Sequence, residues 1–140
     1  MGLFDFFKSK SRKTKDEIDS DSFFEEMKKQ MELLRDEEGT ELEELPNGEG
    51  EFGLSPNNPI PFSSIPDSRE YLGRLVYIKP GSSQYSWERA GSLQNKILKT
   101  PVDQYNLLDL DSNVVKTIYI WTYNKVNSKK APEGFGLMDL

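Results

Sequence analysis

The charge of this chain is divided into blocks, and the division decides which part can supply a core. Residues 16–53 carry fifteen carboxylates against Lys28, Lys29 and Arg35, a balance of −12. Residues 1–15 carry five basic side chains against Asp5, and residues 54–140 carry ten bases against eight acids. The net charge of −6 is therefore one acidic segment, preceded by a short basic run and followed by a nearly neutral stretch. A chain of 140 residues has room for a single modest core. With 30% charged and 35% hydrophobic residues, that core is expected beside solvated segments.

Composition also narrows the chemistry. There is no cysteine, which removes disulfides, thiolate zinc sites, iron–sulfur clusters and thiol catalysis. There is no histidine, which removes the commonest general base near neutral pH and the commonest transition-metal ligand. A non-enzymatic protein is expected, with no cofactor and no metal. The alternative enzyme would depend on carboxylate or Tyr chemistry. No run approaches the ~20 apolar residues that span a bilayer, and no signal-peptide pattern opens the chain, so a cytoplasmic location is expected. Gly2 would suit myristoylation, but Phe6 stands where that motif wants Ser or Thr.

Leu3, Phe4, Phe6 and Phe7 form an apolar patch followed by a basic run to Lys15. Residues 1–21 are read as a flexible apolar and basic segment, with residues 3–15 able to touch a membrane surface. A single α+β domain is expected over residues 22–140. Its helix spans 22–38: Ser22 and Glu25 fit a capping box, Phe24, Met27, Met31 and Leu34 share one face, and Gly39 is a stop. That apolar stripe reads as core packing. Residues 39–53 read as an acidic linker.

Residues 54–69 hold Pro56, Pro59, Pro61 and Pro66 and read as a proline-rich extended arm that buries Ile60, Phe62 and Ile65. From residue 70 the period changes to that of strands, over residues 72–78, 85–91, 102–110 and 115–124. Pro80-Gly81 and Asp111-Ser112-Asn113 supply turns. In the last strand Ile118, Ile120 and Thr122 face one way, and Thr117, Tyr119, Trp121 and Tyr123 the other. The expected architecture is an antiparallel sheet of about four strands with the N-terminal amphipathic helix on one face.

Two surfaces are candidates for a partner. The acidic helix presents Glu25, Glu26 and Glu32, a negative patch that would draw a protein with a basic surface. Tyr119, Trp121 and Tyr123, with Tyr85, Trp87 and Arg89 on an expected neighbouring strand, form an aromatic face to which Asn124 adds a polar group. The same aromatics would equally serve as a buried face. Nucleic acid is not an expected partner, because residues 54–140 carry no basic stripe.

Motifs with other chemistry fail on context. Gly48, Gly50 and Gly53 spell G-x-G-x-x-G, but Glu49 and Glu51 would repel phosphate. Asp103, Asp109 and Asp111 match no calcium loop and read as a solvated hairpin end. Pro56 and Pro59 give one weak polyproline ligand pattern.

Residues 52–136 carry a further pattern: Asn58-Pro59-Ile60-Pro61, Tyr71-Leu72 with Leu75, Arg89-Ala90-Gly91-Ser92, Val102-Asp103-Gln104-Tyr105, Thr117-Ile118-Tyr119-Ile120 and Ala131-Pro132-Glu133-Gly134-Phe135. This resembles small bacterial domains of the immunity type that accompany polymorphic toxin systems. The resemblance implies a compact, acidic inhibitor of a protein toxin, without a catalytic signature.

Overall fold

The computed structural model describes residues 13–78 and 84–139, residues 13–21 by their backbone alone. The chain divides into two compact units, residues 1–34 and 35–140. The apolar patch at residues 3–7 and the Pro80-Gly81 turn lie outside the described residues.

Helix α1 spans Lys13–Glu38. It begins upstream of Ser22, so that residue is an interior position and not the expected cap. The stop is where Gly39 predicts it, and the Gly39 N–H donates to the Arg35 carbonyl at 2.7 Å. The stripe expected to be core is not buried. Phe24 is 64% and Met27 46% exposed, and Phe23 and Leu33 are exposed as well.

The larger unit is α+β. Its strands are β1 (Ile60–Pro61), β2 (Leu75–Tyr77), β3 (Ser86–Leu93), β4 (Val102–Leu108), β5 (Val114–Trp121) and β6 (Phe135–Leu137), with α2 (Ile65–Arg74) between β1 and β2. Four of them form one sheet in the order β1-β5-β4-β3, and β2 pairs with β6 in a second, antiparallel sheet. The four-stranded sheet is mixed, which corrects the all-antiparallel expectation: β1 runs parallel to β5, with Ile60 opposite Ile120 and Pro61 opposite Trp121. Pro61 lacks an N–H and is tolerated because β1 is an edge strand. The Phe62 N–H extends the pairing by donating to the Trp121 carbonyl at 2.7 Å.

The arm read over residues 54–69 is therefore part strand and part helix. Ile60 and Phe62 are buried as expected, whereas Ile65 is exposed. Helix α2 replaces both the end of the arm and the start of the strand expected from residue 72. Ser64 caps it, accepting from the Asp67 N–H, and Pro66 falls in the first turn where its missing N–H costs nothing. Ser68, Tyr71 and Leu72 recur at helical spacing and form its buried face.

Both faces of the sheet are covered within this unit. On one side Ile60, Phe62, Tyr105, Leu107, Ile118 and Ile120 meet Tyr71 and Leu72 of α2, with Leu75 and Phe135 of the small sheet. On the other, Val102 and Trp121 meet Leu45 and Leu98. The cover expected from the N-terminal helix is thus supplied on the first face by α2. Residues 39–53 hold no helix or strand, yet Leu45 is only 6% exposed, and Glu43 accepts from the Lys129 N–H. The glycines of the G-x-G-x-x-G run serve this loop. The Asn58 amide donates to the Gly50 carbonyl, and Gly53 has φ +76° with Pro132 and Ile60 too close for a β-carbon.

Candidate functional site

Alternation along β5 places its residues as the sequence indicates. Ile118 and Ile120 point to the α2 side, while Tyr119, Trp121 and Tyr123 pack with the opposite cluster. The single aromatic surface does not form. β3 pairs with β4 and not with β5, and Trp87 lies opposite Leu107 on the α2 side. There Trp87 stacks on Phe135 at 6.1 Å between ring centroids, and Tyr77 contacts both Phe135 and Tyr85. Tyr85 and Trp87 are half-buried in this cluster, on the other side of the sheet from Tyr119, Trp121 and Tyr123. Trp121 is fully buried, and its Nε1–H donates to Thr100 Oγ1 at 2.7 Å. Replacing it by Ala tests the fold and not a surface.

Asn124 is likewise buried. Its Oδ1 accepts from the Thr40 N–H at 2.6 Å, and its amide donates to the carbonyls of Leu42 and Val126. Glu25, Glu26 and Glu32 are exposed on α1, close in sequence to the exposed Phe23, Phe24 and Met27. Asp109 folds its own hairpin, accepting from the N–H groups of Asp111 and Asn113. Asp103 is on β4 and pairs with Arg89 instead.

Polar groups of several elements converge in one open cleft of about 410 Å³. Ile65 and Arg69 of α2, Arg89 and Ser92 of β3, Asp103 and Tyr105 of β4, and Pro101, Thr122 and Tyr123 line it. Its size lies within the range of small-molecule sites. The β3–β4 register creates it: Arg89 sits opposite Tyr105, and a bulge between Arg89 and Gly91 carries the strand past Asp103. Gly91 adopts φ +133°, a conformation that suits glycine. Arg89 Nη2 then donates to Asp103 Oδ1 at 2.9 Å, and this hydrogen bond and the carboxylate charge raise the Arg89 pKa. Burial, followed by the negative charge of Asp103, raises the pKa of Tyr123, so its hydroxyl stays protonated at neutral pH.

Arg69 and Thr122 line this cleft without a protein partner among the described residues. Arg69 is exposed and makes no ion pair among the described residues. Thr122 is 5% exposed, yet no protein group among the described residues bonds its hydroxyl. Of the nine lining residues, sequence reasoning singled out only Arg89 and Tyr123 as candidates for a partner. The prolines that mark residues 54–69 as an arm mask Arg69 in the sequence, and Thr122 is masked by sharing a strand face with core isoleucines.

Comparison with family models, with curated proteins and with solved structures found no match for this chain.

Proposed function

We propose that this chain is a non-enzymatic protein-binding module that engages a basic-rimmed apolar groove of its partner through helix α1. The supporting observation is the exposure of Phe23, Phe24 and Met27 beside Glu25, Glu26 and Glu32. Phe24 and Met27 are one turn apart, the spacing by which helical peptides anchor in grooves. Exposed apolar side chains on a charged helix are costly in water, and a partner that covers them recovers roughly 25 cal/mol per Å² of apolar surface. The carboxylates around them steer a cationic surface toward the helix and set its orientation. The resemblance of residues 52–136 points to an immunity-type inhibitor, for which the partner is a protein toxin.

The alternative of a membrane-peripheral adaptor draws on residues 3–15, whose apolar part lies outside the described residues. No described helix is long and apolar enough to cross a membrane. The enzyme alternative draws no support from the cleft, where the one lining carboxylate among the described residues, Asp103, is engaged by Arg89.

Affinity capture from the native host with the full chain tests the proposal, using Phe24→Ala/Met27→Ala and Glu25→Gln/Glu26→Gln/Glu32→Gln variants beside the parent. A stoichiometric protein is expected with the parent, at least ~10-fold weaker with the apolar variant and slower to associate with the glutamine variant. A partner held equally well by all three proteins would remove α1 as the interface.

A further inference from the structure

We propose that the cleft bounded by α2, β3 and β4 is a binding site for a small organic monocarboxylate. Three observations carry it, none of them used by the protein-binding reading of α1.

The first is charge. Among the described residues, two arginines and one carboxylate line the cleft, leaving one net positive charge in a chain whose net charge is −6. Arg89 is held in place by Asp103, and a guanidinium so fixed keeps further N–H donors free on its other edges. Arg69 stands on the α2 wall without a counter-ion among the described residues. Guanidinium groups recognise planar carboxylates through paired N–H donors, so this pair suits that group.

The second is an unused hydroxyl. Thr122 is 95% shielded, being 5% exposed, and lines the cleft without a hydrogen-bond partner among the described residues. The hydroxyl itself reaches the cleft surface, so a ligand oxygen can take the place of solvent at this donor without displacing a protein partner. The Tyr123 hydroxyl, kept protonated, is a second neutral donor on the same lining.

The third is the rest of the wall. Ile65, Pro101 and the rings of Tyr105 and Tyr123 give apolar surface for a hydrocarbon or aromatic body. The single net charge argues for a monoanion. A phosphate dianion would bring surplus negative charge beside Asp103, which lies 2.9 Å from Arg89.

Two-dimensional NMR of the full chain, titrated at neutral pH with benzoate, its neutral isostere benzamide, and inorganic phosphate, tests the site. Benzoate is expected to bind saturably, with amide shifts centred on Arg69, Ser92, Thr122 and Tyr123. Arg69→Gln, a change at an exposed position, should weaken benzoate about tenfold, the size of one charge-assisted hydrogen bond. Thr122→Val should weaken it severalfold, with thermal melts reporting whether each variant is folded. Unchanged benzoate affinity in a folded Arg69→Gln protein would overturn the proposal. So would equal binding of benzamide, tighter binding of phosphate, or shifts scattered away from the cleft. The Phe24→Ala/Met27→Ala protein should bind benzoate like the parent, which separates this site from the α1 interface.

Discussion

Trp121 and Thr100 share a hydrogen bond inside the protein: the indole Nε1–H donates to Thr100 Oγ1 at 2.7 Å, with Trp121 fully buried and Thr100 5% exposed. The Thr100 hydroxyl in turn donates to Glu38 Oε1 at 2.8 Å, and Glu38 Oε2 accepts from the Lys99 N–H. The chain of bonds ties the last turn of α1 to the segment before β4. It also explains why a residue expected at a binding surface is a structural anchor. Thr100→Val keeps the shape but orphans the buried indole N–H, a loss of about 1–3 kcal/mol. Urea unfolding of the variant should show a lower midpoint with an unchanged slope, and Thr100→Ser should recover most of the stability.

A larger loss is expected at Asn124. This fully buried amide bridges residues far apart in sequence, accepting from Thr40 and donating to Leu42 and Val126. Asn124→Leu would leave the Thr40 N–H and two carbonyls without that partner. At about 1 kcal/mol for each hydrogen bond lost from this buried amide, the total should reach about 3 kcal/mol. Calorimetry should show the largest drop in Tm among the polar variants considered. A drop no larger than that of Thr100→Val would mean that water replaces the amide.

The contrast between these anchors and their sequence reading shows what a single chain reveals. Alternation in β5 needs only neighbouring residues, so the opposite facing of Ile118 and Trp121 was legible. The pairing of Ile60 with Ile120 was not, because nothing local says which strand an isolated two-residue segment will join. Helix α2 carried its own signal in Ser64, Pro66 and Asp67, but proline also marks extended chain, and the run Pro56 to Pro61 favoured that meaning. The aromatic surface fails to form for a different reason. Period two tells which residues share a strand face, while only the sheet order shows that β4 separates β3 from β5. The cleft depends on both the unread helix and the unread register, so Arg69 and Arg89 could not be brought together from sequence.

Alkaline pH should weaken the fold through Tyr71. Its hydroxyl donates to the Lys130 carbonyl at 2.7 Å, its ring packs edge-on to Phe62, and burial raises its pKa far above the ordinary value. The folded state therefore favours the protonated phenol. Its contribution is complete below about pH 10, where the unfolded phenol begins to ionise, and is lost as pH rises beyond that point. Thermal melts between pH 8 and about 11.5 should show a decline in Tm that is shallower in Tyr71→Phe. Tyr123, also raised, leaves a smaller slope of the same sign. Equal slopes in the two proteins would show that Tyr71 ionises without unfolding cost.

At acid pH the cap of α2 is the sensitive element. Ser64 Oγ accepts from the Asp67 N–H at 3.2 Å, and the Ser64 hydroxyl donates to Asp67 Oδ2 at 2.8 Å. Hydrogen bonds from Ser64, then Asn127 and Ser63, lower the Asp67 pKa against a smaller opposing effect of burial. A depressed carboxylate stabilises the fold above its unfolded value of about pH 4 and loses that contribution as pH falls through its folded value. Ser64→Ala should cost about 1 kcal/mol at neutral pH through the lost cap. In the same variant an NMR titration should find the Asp67 pKa moved back up toward the ordinary carboxylate value. If the pKa stays depressed, Asn127 and Ser63 hold the carboxylate, and Asn127→Ala should then release it.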